Sequence, residues 1–108
     1  MKVGEKIDAY KVGQRSFDPK ETFAFVTHAG HRAIVWSWGA HAYVTHEDKF
    51  LRFKVQGRLF KGHVYIILGW DDTFTLYFTS SHGNIKRIEE GIYIDMLIDT
   101  IDGIVETP

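Results

Sequence analysis

"LRFKVQGRLFKGHVYIIL" (residues 51–68) sets two runs of alternating apolar and polar residues on either side of one glycine, and the way these runs pair decides the fold. Glycine is the residue a type II′ hairpin wants first, so Gly57-Arg58 is read as a two-residue turn. Val55 would then pair with Phe60, Phe53 with Gly62 and Leu51 with Val64 on one face. The other face would receive Lys54 with Lys61, Arg52 with His63 and Phe50 with Tyr65. One side of the hairpin reads as core, the other as a basic and aromatic surface. A slip of one residue would exchange them.

Moving toward the C-terminus, "GWDDT" (69–73) connects the hairpin to a third run if Trp70, Asp71 and Asp72 form the loop. Leu68 then faces Phe74, Ile66 faces Leu76, Val64 faces Phe78, and Tyr65 faces Tyr77 on the opposite side. A short strand near Ile85 to Ile88 follows the "SSHG" turn. Helical spacing returns in "YIDMLIDTIDGIVE" (93–106), where Ile94, Leu97, Ile98, Ile101 and Val105 share one stripe and Asp95, Asp99, Asp102 and Glu106 another. This predicts an amphipathic helix over about 92–105 that covers the apolar sheet face.

Toward the N-terminus, "VWSWGAHAYV" (35–44) reads as a hairpin about Gly39-Ala40, pairing Trp38 with His41 and Trp36 with Tyr43. Their rings are expected inside, because burying an aromatic side chain stabilises by roughly 2–3 kcal/mol. Earlier still, Asp18, Pro19 and Glu21 carry the signals of a helix start, for a helix over about 19–28 that Gly30 would stop. Val3, Ile7 and Tyr10 are spaced for one helical face. The expected fold class is α+β, an antiparallel β-meander of five to six strands with an N-terminal helical segment and a C-terminal amphipathic helix packed on one face, in a single domain over 1–108.

Composition narrows the functional classes. The chain has 108 residues, 44% hydrophobic and 25% charged, which is ordinary globular composition and excludes disordered and collagen-like classes. It contains no cysteine, so disulfide frameworks and thiolate zinc sites are excluded. "MKVGEKIDAY" lacks a signal-peptide apolar core and no run approaches a membrane span, so a soluble, cytoplasmic protein without membrane contact is expected. The net charge of −1 conceals segregation. Lys49, Arg52, Lys54, Arg58 and Lys61 fall in one acid-free segment, and Glu89, Glu90, Asp95, Asp99, Asp102 and Glu106 in one base-free segment.

The basic hairpin face is the leading candidate site. Like charges directly opposite one another destabilise a sheet, by up to about 1 kcal/mol per pair, which makes sense where something anionic binds. Arg52, Lys54, Lys61, His63, Tyr65 and Tyr77 would then hold an anionic ligand or nucleic acid, with Trp70 at a loop tip as an added contact. Lysines that merely solvate a strand and deter edge pairing are the competing explanation.

Six histidines (His28, His31, His41, His46, His63 and His82) raise metal binding and acid/base catalysis. Their spacing matches no metal motif, so neither a metal nor a cofactor is expected. A hydrolase or nuclease using two histidines, with Arg52 or Lys54 on phosphate, leaves no linear motif and stays open. It requires at least two of His41, His46, His63 and His82 to converge. The acidic helix stripe offers a third class, assembly with a protein partner or as a homodimer. The function expected first is a small non-enzymatic binding protein.

Overall fold

The computed structural model describes residues 2–8, 37–45, 50–69 and 72–106. Five strands, β1 (His41–Thr45), β2 (Leu51–Gln56), β3 (Lys61–Leu68), β4 (Phe74–Thr79) and β5 (Ile85–Ile92), form one antiparallel sheet in sequence order. A 3₁₀ turn at Ile94–Met96 then leads into helix α1 (Leu97–Val105). The helix expected over 19–28 lies outside the described residues, as do Trp36 and Trp70.

The β3–β4 pairing agrees with the sequence reading residue for residue: Leu68 with Phe74, Ile66 with Leu76, Val64 with Phe78, and Tyr65 with Tyr77. Gly69 N–H donates to the Thr73 carbonyl at 2.8 Å and closes the intervening loop. The β2–β3 register differs from expectation by two residues. Lys54 faces His63 rather than Lys61, Arg52 faces Tyr65 rather than His63, Phe53 faces Val64, and Lys61 faces Gln56.

The cause lies in the connection. Gly57 to Phe60 form a four-residue turn, with Gly57 N–H donating to the Phe60 carbonyl at 3.0 Å. Leu59 N–H and Phe60 N–H both donate to the Val105 carbonyl at the end of α1, at 2.9 and 3.3 Å. Arg58 N–H donates to the Glu106 carboxylate at 2.8 Å. The turn thus supplies partners to a helix C-terminus, where carbonyls otherwise lack them. A Cβ on Gly57 would collide with the Val105 carbonyl, so only glycine permits this approach.

One sheet face and α1 enclose the main core: Leu51, Phe53, Val55, Val64, Ile66, Leu76 and Phe78 from the sheet, and Leu97, Ile98, Ile101 and Val105 from the helix. The helix begins later than expected, because β5 runs to Ile92 and not Ile88, and this leaves Ile94 exposed. Trp38 is fully buried here, stacked on Phe53 with ring centroids 6.5 Å apart. Its indole N–H donates to Asp102 at 2.9 Å, which satisfies the polar atom of a buried ring.

Trp38 does not pair with His41 in a hairpin. It sits in a turn ahead of β1 and its carbonyl accepts from Gln56 N–H. A bulge between His41 and Val44 then changes the facing of β1. Tyr43 tilts onto Phe53 at 5.2 Å on the core side, whereas His41 pairs with Lys54 on the other. Residues 2–8 are not helical. Gly4 N–H donates to the Ile85 carbonyl and Ile7 N–H to the Gly83 carbonyl, both at 2.8 Å, which ties this segment to the start of β5.

The two described glycines beside or within α1 should respond oppositely to alanine. Gly57→Ala is expected to destabilise the fold by about 1–3 kcal/mol through overpacking. Gly103→Ala, with open space around its Cβ position, should stabilise by up to about 1 kcal/mol through helix propensity. Urea unfolding midpoints of the two variants provide the check.

Candidate functional site: a histidine and lysine pocket on the second sheet face

Directly opposed residues of an antiparallel sheet point to the same side, so the register generates rows. One row crosses four strands: His41, Lys54, His63 and Thr79. Beside it, toward the β2–β3 turn, lie Gln56 and Lys61. On the other side lies the row of Val44, Arg52, Tyr65, Tyr77 and Ile88. With strands about 4.8 Å apart, the Cα atoms of His41 and His63 are separated by about 10 Å, with Lys54 between them.

The outer part of this face is a pocket of about 400 Å³. His41, Lys54, Gln56, Lys61 and His63 line it, joined by Ser81 from the β4–β5 turn. Among the described residues no carboxylate lines it. Gly62 belongs to the same wall; a Cβ there would collide with the Thr79 carbonyl, so glycine lets β3 and β4 close up beside the pocket.

The electrostatics follow from these neighbours. Burial holds His63 below the usual imidazole range, and the positive charges of Arg52 and Lys54 push it the same way. Arg52 Nε and His63 Nε2 are buried with no hydrogen-bond partner among the described residues. Leaving such groups unpaired costs about 1–3 kcal/mol each. His41 is positioned differently: its Nδ1 lies 2.6 Å from the Gly39 carbonyl. A carbonyl can only accept, so Nδ1 carries the proton and Nε2 is the nitrogen left to exchange one.

The residues named for the expected site are divided between two places on this face. Lys54, Lys61 and His63 share the pocket, and Arg52 is half-buried in the adjoining row. Tyr65 and Tyr77 are on the same face but are buried in a second cluster with Phe50, Ile67 and Ile85, to which Ile7 and Ile88 pack. Phe50 packs on Tyr65 with centroids 5.6 Å apart. These rings are structural interior and offer no stacking platform. The Tyr77 hydroxyl accordingly titrates above the usual phenol range, through burial first and the Glu90 charge second.

The sequence places neither Gln56 nor Ser81 beside the basic hairpin residues, and it offers His41 only as a candidate acid or base, not as a neighbour of Lys54 and Lys61. His41 was hidden by the bulge, which an alternating pattern does not announce; Ser81 arrives from a turn. Of the other histidines, His82 is exposed, and His28, His31 and His46 lie outside the described residues. Among the described residues no group of three His, Cys, Asp or Glu side chains is placed to hold a metal ion. The helix stripe is also partly engaged: Asp102 accepts from Trp38 and Glu106 from Arg58, while Asp95 and Asp99 are exposed. No described helix is long and apolar enough to cross a membrane. No family model, curated protein or solved structure matches the chain.

The depressed His63 pKa gives stability a pH dependence. The folded state binds a proton at His63 less readily than the unfolded chain, so stability is highest with the ring neutral. It should fall as pH drops below the unfolded value of about 6.5, and stop falling below the folded pKa. Chemical denaturation from pH 7.5 to 5 should show a shallower decline in His63→Gln than in the wild type.

Proposed function

We propose that the protein is a small binding protein whose ligand is an anion held in the pocket between β1, β2 and β3. The observation that carries this reading is the gathering of Lys54 and Lys61 with His41 and His63 around one concavity that no carboxylate lines among the described residues. Neither lysine has an acidic partner among the described residues, so their charge is directed at whatever enters. Its size falls within the range of small-molecule sites, roughly 300–1,000 Å³, and is sufficient for a phosphorylated metabolite or a phosphate and sugar of a nucleic-acid chain.

The hydrogen-bonding chemistry agrees. Lysine ammonium groups, a glutamine amide, a serine hydroxyl and imidazole N–H groups are all donors to phosphate or carboxylate oxygens. An anion also relieves the mutual repulsion of Lys54 and Arg52. Because the burial of Tyr65 and Tyr77 removes the rings from contact, recognition rests on charge and hydrogen bonds more than on stacking.

Titration calorimetry with inorganic pyrophosphate tests the reading. The wild type should bind, with affinity that weakens as salt is added. Lys54→Glu combined with Lys61→Glu should abolish binding while circular dichroism and the melting temperature stay near wild type, since both side chains are exposed. Full affinity in that double variant would remove the pocket as the site.

A further inference from the structure

We infer that the pocket is catalytic toward RNA, with His41 and His63 acting as the acid and base of a phosphodiester transfer centred over Lys54. The inference rests on the anion-site reading above and deepens it by naming the substrate class. Two histidines converging on one concavity is the arrangement that acid/base chemistry requires, and here they stand on either side of a cation in a single cross-strand row.

The roles follow from the surroundings of each ring. Base catalysis needs a neutral imidazole at working pH. His63 is held in that state by its partial burial and by Arg52 and Lys54 on β2; Lys61 on its own strand adds to the positive field. Facing it from β4 is Thr79, which carries no charge, and from across β2 comes His41. Among the described residues no acidic residue lines the site to reverse this. The acid needs one fixed nitrogen directed outward, and the bond from His41 Nδ1 to the Gly39 carbonyl supplies that by leaving Nε2 as the exchanging atom.

RNA fits these groups because it carries its own nucleophile. Among the described residues the pocket lining includes no carboxylate that would activate water, but a ribose 2′-hydroxyl needs only one proton removed and a leaving oxygen one proton supplied. His63 takes the 2′-hydroxyl proton as the 2′-oxygen bonds to phosphorus. The bond from phosphorus to the 5′-oxygen breaks, and that oxygen leaves with the electron pair and takes the proton from His41 Nε2. The products are a 2′,3′-cyclic phosphate and a free 5′-hydroxyl. Lys54, between the two rings, offsets the negative charge that builds on the non-bridging oxygens, a form of stabilisation that acts most strongly in the transition state. Exchange with solvent then returns each histidine to its starting state.

A DNA oligonucleotide containing a single ribonucleotide separates the outcomes. Wild-type protein should cut it only at the ribonucleotide, leave the all-DNA strand intact, and yield a cyclic phosphate by mass spectrometry. His41→Gln and His63→Gln, purified identically, should each lower kcat by about 100-fold or more, the usual share of an acid or base. Each should also remove one limb of the pH profile while circular dichroism shows the fold intact. Pyrophosphate binding without any RNA cleavage would overturn the catalytic inference and leave the binding reading standing, as would cleavage that both histidine variants retain. Failure to bind pyrophosphate together with failure to cleave would remove both.

Discussion

The backbone bonds between the β2–β3 turn and the end of α1 are the constraint on which the rest of the structure depends. The Val105 carbonyl accepts from Leu59 and Phe60, the Glu106 carboxylate accepts from Arg58, and Gly57 is the residue that permits the approach. A helix end left without such partners would strand carbonyl groups against the sheet. Satisfying them takes four residues out of the hairpin in place of two, and that sets the register of β2 on β3. The same bonds therefore fix which side chain stands opposite Lys54. With the shorter turn it would have been another lysine; with this one it is a histidine. The composition of the pocket is a downstream consequence of how the helix is capped.

The sheet also buries both faces, but unequally. The face toward α1 is apolar along the sheet, whereas the second face divides into a buried aromatic half, with Tyr65, Tyr77 and Phe50, and a polar half that holds the pocket. Arg52 and His63 stand at the boundary, each with one nitrogen buried and unpaired. Burial first, and the charges of Arg52 and Lys54 second, lower the His63 pKa.

What could be read from the sequence divides along parity. The β3–β4 register was legible because Leu68, Ile66 and Val64 each needed an apolar partner, and only one alignment over the "GWDDT" loop provides all three. The helix stripe of Leu97, Ile98, Ile101 and Val105 was legible for the same reason at helical spacing. The β2–β3 register was not. A shift of two residues keeps every side chain on its face, so the hydrophobic pattern is the same for both alignments, and the deciding bonds come from Val105, remote in sequence. The bulge in β1 defeats parity outright by putting His41 and Val44 on one side. Trp38 could be placed in the core by size, but its partner Asp102 lies 64 positions away and reads locally as one more charge on a solvated stripe.

The corrected register changes what the basic residues mean. The sequence suggested strain from Lys54 opposite Lys61; the structure removes that pair by placing Gln56 across from Lys61. Cross-strand repulsion between the two lysines is then no longer an argument for a ligand. The competing explanation, that such lysines protect an exposed strand edge, also loses its ground. In the order β1-β2-β3-β4-β5 both β2 and β3 are interior strands whose edges are already paired. What remains is placement: two ammonium groups and two imidazoles drawn to one end of a sheet face whose other end is packed with rings. Simple solvation of that face would be served as well by mixed charges, which also weaken the repulsion among neighbours. Of the acids, Asp99 and Asp102 sit on α1 and Glu106 at its end, and Asp102 and Glu106 take part in holding the fold. The acidic segment is divided between α1 and β5, where the Glu90 charge reaches Tyr77, whereas Lys54 and Lys61 of the basic segment are gathered at one concavity.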